Sequence, residues 1–156
     1  VNFTLRDATP DDAGLIAGFV HALAVYEKLE HEAKGTEADF RAALEAGHIG
    51  ALIVAVDEAP VGFALWYFTF STFVGRRGLY LEDIFVMPAN RGAGIGRAIF
   101  RDLARRAVAL GCQRMEWSVL DWNTPAVKFY RALGARAMDD WTVQRLDGDA
   151  LAKLAA

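Results

Sequence analysis

The sequence predicts a mixed α/β domain: a mixed, twisted sheet with helices on both faces. Three observations predict it. Apolar residues alternate in some stretches and recur at helical spacing in others, giving the order β-α-α-β-β-β-α-β-α-β. The segment from about residue 80 to 120 reads strand, helix, strand, a crossover whose two strands should be parallel and right-handed. Three strands joined by short turns, the last of them opening that crossover, read as an antiparallel meander.

The elements follow in order. Val1, Phe3 and Leu5 alternate with polar residues and form a first strand. Thr9-Pro-Asp-Asp12 starts a helix, with Thr9 as cap and Pro10 in the first turn. Leu15, Ile16, Phe19, Val20 and Leu23 carry that helix to about Tyr26. Glu30 and Glu32 read as solvated surface. Thr36-Glu-Ala-Asp39 is a second capping box, opening a short helix that Gly47 ends. Ala51 to Asp57 is a strand, Asp57 to Pro60 a turn, and Val61 to Ser71 a long strand with a bulge signal at Gly62. Gly75 to Gly78 is a loop into the strand Leu79 to Met87, which Pro88 breaks. A helix of 97–110 follows, with Phe100, Leu103, Ala107 and Leu110 on one face and Gly111 as its stop. Arg114 to Leu120 is the next strand. Asn123 or Thr124 caps a helix carrying Ala126, Phe129, Tyr130 and Leu133, which Gly134 ends. Thr142 to Leu146 alternates like a last strand, and Asp149 to Ala156 is a terminal helix.

The 156 residues suit one domain, 1–156, with a sizeable core. A hydrophobic share of 54% excludes a disordered chain. No apolar run reaches the ~18 residues of a membrane span, and no secretory leader is expected, so the expected location is cytoplasmic. The single cysteine, Cys112, leaves no internal disulfide and no cysteine-built metal site. His21, His31 and His48 show no ligand spacing, so no metal is expected. A net charge of −3 without a basic run argues against nucleic acid and suits a cationic small molecule.

The chemistry centres on Arg91-Gly-Ala-Gly-Ile-Gly96. It lies between a strand and a helix, where glycine lets backbone approach an anion and the first helical N–H groups point at it. Arg97 stands where a dinucleotide fingerprint needs its third glycine, and the Gly-Lys-Ser/Thr of a P-loop is absent. Arg-x-x-Gly-x-Gly remains, and taken alone it is as readily an ordinary glycine turn. Before it, Glu82 interrupts an apolar strand, where a carboxylate is costly unless paired or functional. Alternation places Asp83 on the opposite side, so Glu82 is the chosen residue.

Arg91, Gly94 and Gly96 with the preceding strand resemble the pyrophosphate loop of the GNAT acetyltransferases, which bind acetyl-CoA. Leu79-Tyr-Leu-Glu-Asp-Ile-Phe-Val-Met87 and Asp121-Trp-Asn-Thr-Pro-Ala-Val-Lys-Phe-Tyr130 narrow the likeness, as do Val25-Tyr-Glu-Lys-Leu-Glu30 and Phe63-Ala-Leu-Trp-Tyr-Phe-Thr-Phe70. Together they resemble the diamine (spermidine/spermine) and thialysine acetyltransferase branch. The resemblance implies the GNAT fold, with about six to seven strands in a central mixed sheet. It implies that backbone of Ile84, Phe85 and Val86 pairs with the pantetheine arm like an added strand. Arg91, Gly92, Ala93, Gly94, Ile95, Gly96 and Arg97 would cradle the pyrophosphate, and Asn123 and Ala126 would hold the arm near the thioester. Tyr130 would protonate the leaving thiolate and Glu82 would help deprotonate the amine. Tyr26, Glu27, Glu82, Glu116, Trp117 and Ser118 would line the acceptor pocket, joined by Asp140. The family's habit also implies a homodimer.

The acceptor would be a small cationic amine: a polyamine, thialysine or a similar amino acid. An alkyl amine with a pKa near 10.4 is uncharged in only about one molecule in 2,500 at pH 7, and deprotonation costs roughly 4.6 kcal/mol. A carboxylate that attracts the cation and relays its proton meets that need. Two other functions fit the same motifs: a non-catalytic acyl-CoA sensor, and acetylation of protein lysines or N-termini. Tyr130 is otherwise a core aromatic, Asn123 only a helix cap, and the four tryptophans mostly core.

Overall fold

A computed structural model describes residues 2–156; Val1, expected in the first strand, lies outside the described residues. The chain divides into two compact units, one ending at Ser118 and the other Val119–Ala156.

The first unit holds a five-stranded sheet in sequence order: β1 (Phe3–Asp7), β2 (Gly50–Val56), β3 (Ala59–Ser71), β4 (Arg76–Val86) and β5 (Met115–Glu116). The first four pair antiparallel and β4 pairs β5 in parallel, as the crossover reading required. Helices α1 (Ala13–Glu27) and α2 (Glu37–Glu45) precede β2, and α3 (Ile95–Ala109) forms the crossover. Both capping boxes close their entries. The Asp12 carboxylate accepts from Thr9 N–H at 2.8 Å, and Thr36 and Asp39 bond reciprocally. The β2–β3 hairpin turns on Asp57 and Glu58, both at positive φ.

Ala51, Ile53, Phe63, Leu65 and Phe85 cover one face of the sheet and pack with Ile16 and Phe19 of α1. The Phe19 and Phe63 rings stack with centroids 5.6 Å apart, a contact worth about 0.5–1.5 kcal/mol beyond its area. The opposite face takes α3, whose Phe100 meets Trp117 at 4.8 Å and whose Arg106 lies 5.0 Å over Trp66.

One irregularity decides what the α1 face displays. β3 and β4 stay in register from Ser71↔Arg76 to Trp66↔Leu81, then resume at Leu65↔Asp83. Glu82 is the extra residue, a β-bulge. Tyr80 and Glu82 share the α1 face by alternation. Beyond the bulge Asp83, opposite Leu65, returns to that same face. Two successive acids therefore point to one side, which corrects the expectation that Asp83 turns away.

Two strand expectations also change, and among the described residues the sheet has five strands rather than six to seven. The strand expected over Arg114 to Leu120 is only Met115–Glu116, because its ladder stops at Tyr80↔Glu116, two residues before the bulge bends β4 away. Thr142 to Leu146 is exposed and irregular. A strand needs a partner for its backbone groups, and here the Gln144 amide donates to the Thr142 carbonyl instead, at 3.2 Å.

The second unit carries α4 (Thr124–Ala132) and α5 (Gly148–Ala155). Asn123 is the N-cap of α4 and Pro125 lies in its first turn. No helix among the described residues is long and apolar enough to cross a membrane.

Candidate active site

Where β4 ends, the chain builds an anion cradle. Gly92 and Gly94 sit at φ +83° and +82°, a region that L side chains rarely adopt. A Cβ on either would meet no atom within 4 Å, so both face open space. Gly94 is the N-cap of α3 and offers no side-chain cap. The first helical bond runs from Ala98 N–H to the Gly94 carbonyl at 3.1 Å. The N–H groups of Ile95, Gly96 and Arg97 therefore have no acceptor within the helix. Ile95 is buried and anchors the loop, while Ala93 is half-buried and Arg97 is exposed. A diphosphate fits this arrangement: positive backbone dipoles, clear space and an adjacent guanidinium.

Arg91 has a different role from its neighbours. Its Nε donates to the Val86 carbonyl at 2.9 Å, and its guanidinium lies 4.9 Å from the Tyr26 ring and 5.5 Å from Phe85. It braces the loop against the end of α1, an exposed-to-half-buried cation–π contact worth about 0.5–2 kcal/mol. Ile84, Phe85 and Val86 lie beyond Tyr80, where no strand among the described residues pairs with the β5 side of β4. That edge is open to an extended ligand, with the Val86 carbonyl already engaged by Arg91.

The α1 face gathers the acids. Burial first, then the charges of Glu82 and Glu27, push the Asp83 carboxyl up to about 6. Burial also raises Glu27, at the last turn of α1. Glu82 itself is exposed. Glu116 and Ser118 follow Tyr80's face by register, and Trp117 points the other way into the Phe100 contact. Asp83 is the residue that sequence reasoning set aside. Its only sequence signal is a second acid inside an apolar strand.

Asp83 yields a stability prediction. Folded Asp83 holds its proton more tightly than the unfolded side chain, so its stabilising share is complete below about pH 4 and is lost as pH rises through about 6. Asp83→Asn should therefore be more stable than the wild type at pH 8, by up to about 3 kcal/mol. The gain should vanish near pH 4. Paired melting curves at the two pH values check it, and an equal gain at both would put the effect in packing.

In the second unit, Asn123 is buried and its Oδ1 accepts from Ala126 N–H at 3.4 Å. Tyr130 is half-buried on α4, its ring 5.7 Å from Phe129. Asp140 is exposed in a turn.

Comparison with known proteins identifies the family. The family model described as Acetyltransferase (GNAT) family matches residues 16–135. The chain is 38% identical to a thialysine N-epsilon-acetyltransferase of Mus musculus, over 97% of this chain and 96% of the relative. It is 29% identical to an L-ornithine N5-acetyltransferase of Arabidopsis thaliana, over 94% and 85% of the two chains. Among solved structures, an integron cassette protein from the mobile metagenome of V. cholerae superposes with a TM-score of 0.81 at 25% identity, covering 99% and 98%. With a family model spanning most of its length and such a relative along nearly all of it, this chain belongs to the GNAT family of acetyltransferases.

Proposed function

We propose that the protein transfers the acetyl group of acetyl-CoA to a primary amine of a small cationic molecule: a polyamine, thialysine or a similar amino acid. The observation that carries this reading is the bulge at Glu82. It sets two successive carboxylates on the face that already holds Glu27, and a cation is the ligand such a face attracts. The relatives that act on thialysine and ornithine support the same class.

In this reading the cradle from Gly92 to Arg97 holds the diphosphate, and the open edge at Ile84 to Val86 takes the pantetheine arm. Asn123 and the start of α4 hold that arm near the thioester. Acetyl-CoA supplies the activated acyl group. The amine arrives as a cation and gives its proton to Glu82, directly or through water, before it attacks. Tyr130 hands its phenolic proton to the departing thiolate. The 156 residues act as one domain, as a cytoplasmic homodimer by the family's habit, with exposed Phe70 and Phe73 available to an interface.

An assay of thiol release with acetyl-CoA and a panel of amines, amino acids and peptides tests the reading. Turnover should be fastest with small cationic amines and fall for neutral or anionic amines and for peptides. Glu82→Gln should lower turnover about tenfold below the amine pKa, less than the ~10²-fold usual for acid–base catalysis because Asp83 shares the face. The deficit should shrink at high pH, where free amine is plentiful. An unaltered pH profile with full activity would leave Glu82 only a structural part.

A further inference from the structure

Two tyrosines beside Glu82 have no part in the scheme above. Tyr67 and Tyr80 are cross-strand partners, with ring centroids 5.2 Å apart and planes 31° from each other. Register puts both on the α1 face, with Glu82 two residues beyond Tyr80. Both are only half-buried, which a pair serving the core alone would not need to be. The Tyr80 hydroxyl and Ser118 Oγ share a hydrogen bond of 2.9 Å. Ser118 lies two residues past Glu116, the last paired residue of β5, so this bond ties the departing chain back to β4 and fixes the Tyr80 ring. Tyr67's phenol is raised by burial first and then by the charge of Glu82, which places that carboxylate within electrostatic reach of the ring.

We propose that Tyr67 and Tyr80 form the aromatic floor of the acceptor subsite and select an alkylammonium ion seated over their exposed faces beside the Glu82 carboxylate. The inference rests on the amine-acetyltransferase reading and deepens it. The negative face of each ring attracts a cation, and a neighbouring carboxylate adds charge to that attraction. A neutral acceptor gains neither. Tyr67 contributes through its ring, whereas Tyr80 is also a positioning residue that holds Ser118. The two hydroxyls should therefore matter unequally.

The test compares wild type with Tyr67→Leu, Tyr67→Met and Tyr67→Phe, each confirmed folded by its melting curve. Two acceptors are used: putrescine, a dication, and aminoacetonitrile, a primary amine mostly neutral at the assay pH. Calorimetric titration of putrescine runs alongside. Tyr67→Leu and Tyr67→Met should each raise the KM and Kd for putrescine about tenfold. They should leave the KM for acetyl-CoA and for aminoacetonitrile nearly unchanged. Tyr67→Phe keeps the ring and should stay close to wild type. The methionine variant fills the site without a ring, so it answers the question if the leucine variant fails to fold. Equal changes for both acceptors, or no change, would overturn the aromatic floor while leaving the amine reading intact. If the wild type acetylates no amine, that reading fails, and calorimetry decides separately. Tighter putrescine binding by wild type than by Tyr67→Met supports the subsite, and equal or absent binding overturns it.

Discussion

The Tyr130→Phe protein is expected to turn over about 100-fold more slowly than wild type, at the low end of the range for acid–base catalysis. The substitution keeps the ring beside Phe129 and removes only the hydroxyl. An ordinary phenol holds its proton at neutral pH and can give it to a thiolate, whose conjugate acid has a pKa of about 8.5. Tyr130 lies seven residues after Asn123, two turns along α4, which brings it back to the side of the helix entry. Acetyl-CoA affinity and melting temperature should stay near normal. Turnover is to be measured at saturating acetyl-CoA, with chemistry shown to be rate-limiting. Full turnover would hand the proton to water or another group. A large loss of melting temperature would make the hydroxyl a structural group.

Gly94→Val should abolish useful acetyl-CoA binding. At φ +82° a β-branched residue is strained by roughly 1–2 kcal/mol, and its methyl groups enter the space the cradle keeps clear. Loss of two charge-assisted hydrogen bonds, at about 1.5–3 kcal/mol each, raises the Kd for CoA at least about 100-fold. Calorimetry with CoA reads the affinity and a melting curve reads the strain. Equal CoA affinity in the folded variant would remove the loop from the site.

Much of this molecule was legible in the amino-acid order. Thr9 and Thr36 marked helix starts because each has an acid three residues on, and both boxes form. Gly47, Gly111 and Gly134 marked helix ends and all take positive φ. Asn123 or Thr124 was open as the cap of α4, and Asn123 takes it. What stayed hidden depends on neighbours distant in sequence. Nothing local announces the bulge at Glu82, since that residue is neither glycine nor proline. The position exists only in the pairing of β4 with β3. Strict alternation therefore separated Glu82 from Asp83, which the fold brings together. Arg91 matched a phosphate motif, but its side chain turns back to Tyr26, Phe85 and the Val86 carbonyl. Trp117 was read beside Glu116 and Ser118 in the pocket, yet a strand sends neighbours to opposite sides and it meets Phe100. Thr142 to Leu146 had the rhythm of a strand without a partner to keep it.

The extra residue in β4 also acts as a phase shifter. Before it, odd-numbered positions, Leu79 and Leu81, serve the side that α3 covers. After it, even-numbered positions, Ile84 and Val86, serve that side. A comparison that assumes one unbroken rhythm would misassign half of the strand. A graft of this site onto another sheet must carry the inserted residue as well as the acids. Deleting Glu82 would restore the rhythm with Tyr80 and Asp83 still on one side, and would cost the site one of its two carboxylates. One added residue thus lets a strand made of ordinary apolar letters hold two charges together without giving up the packing behind them.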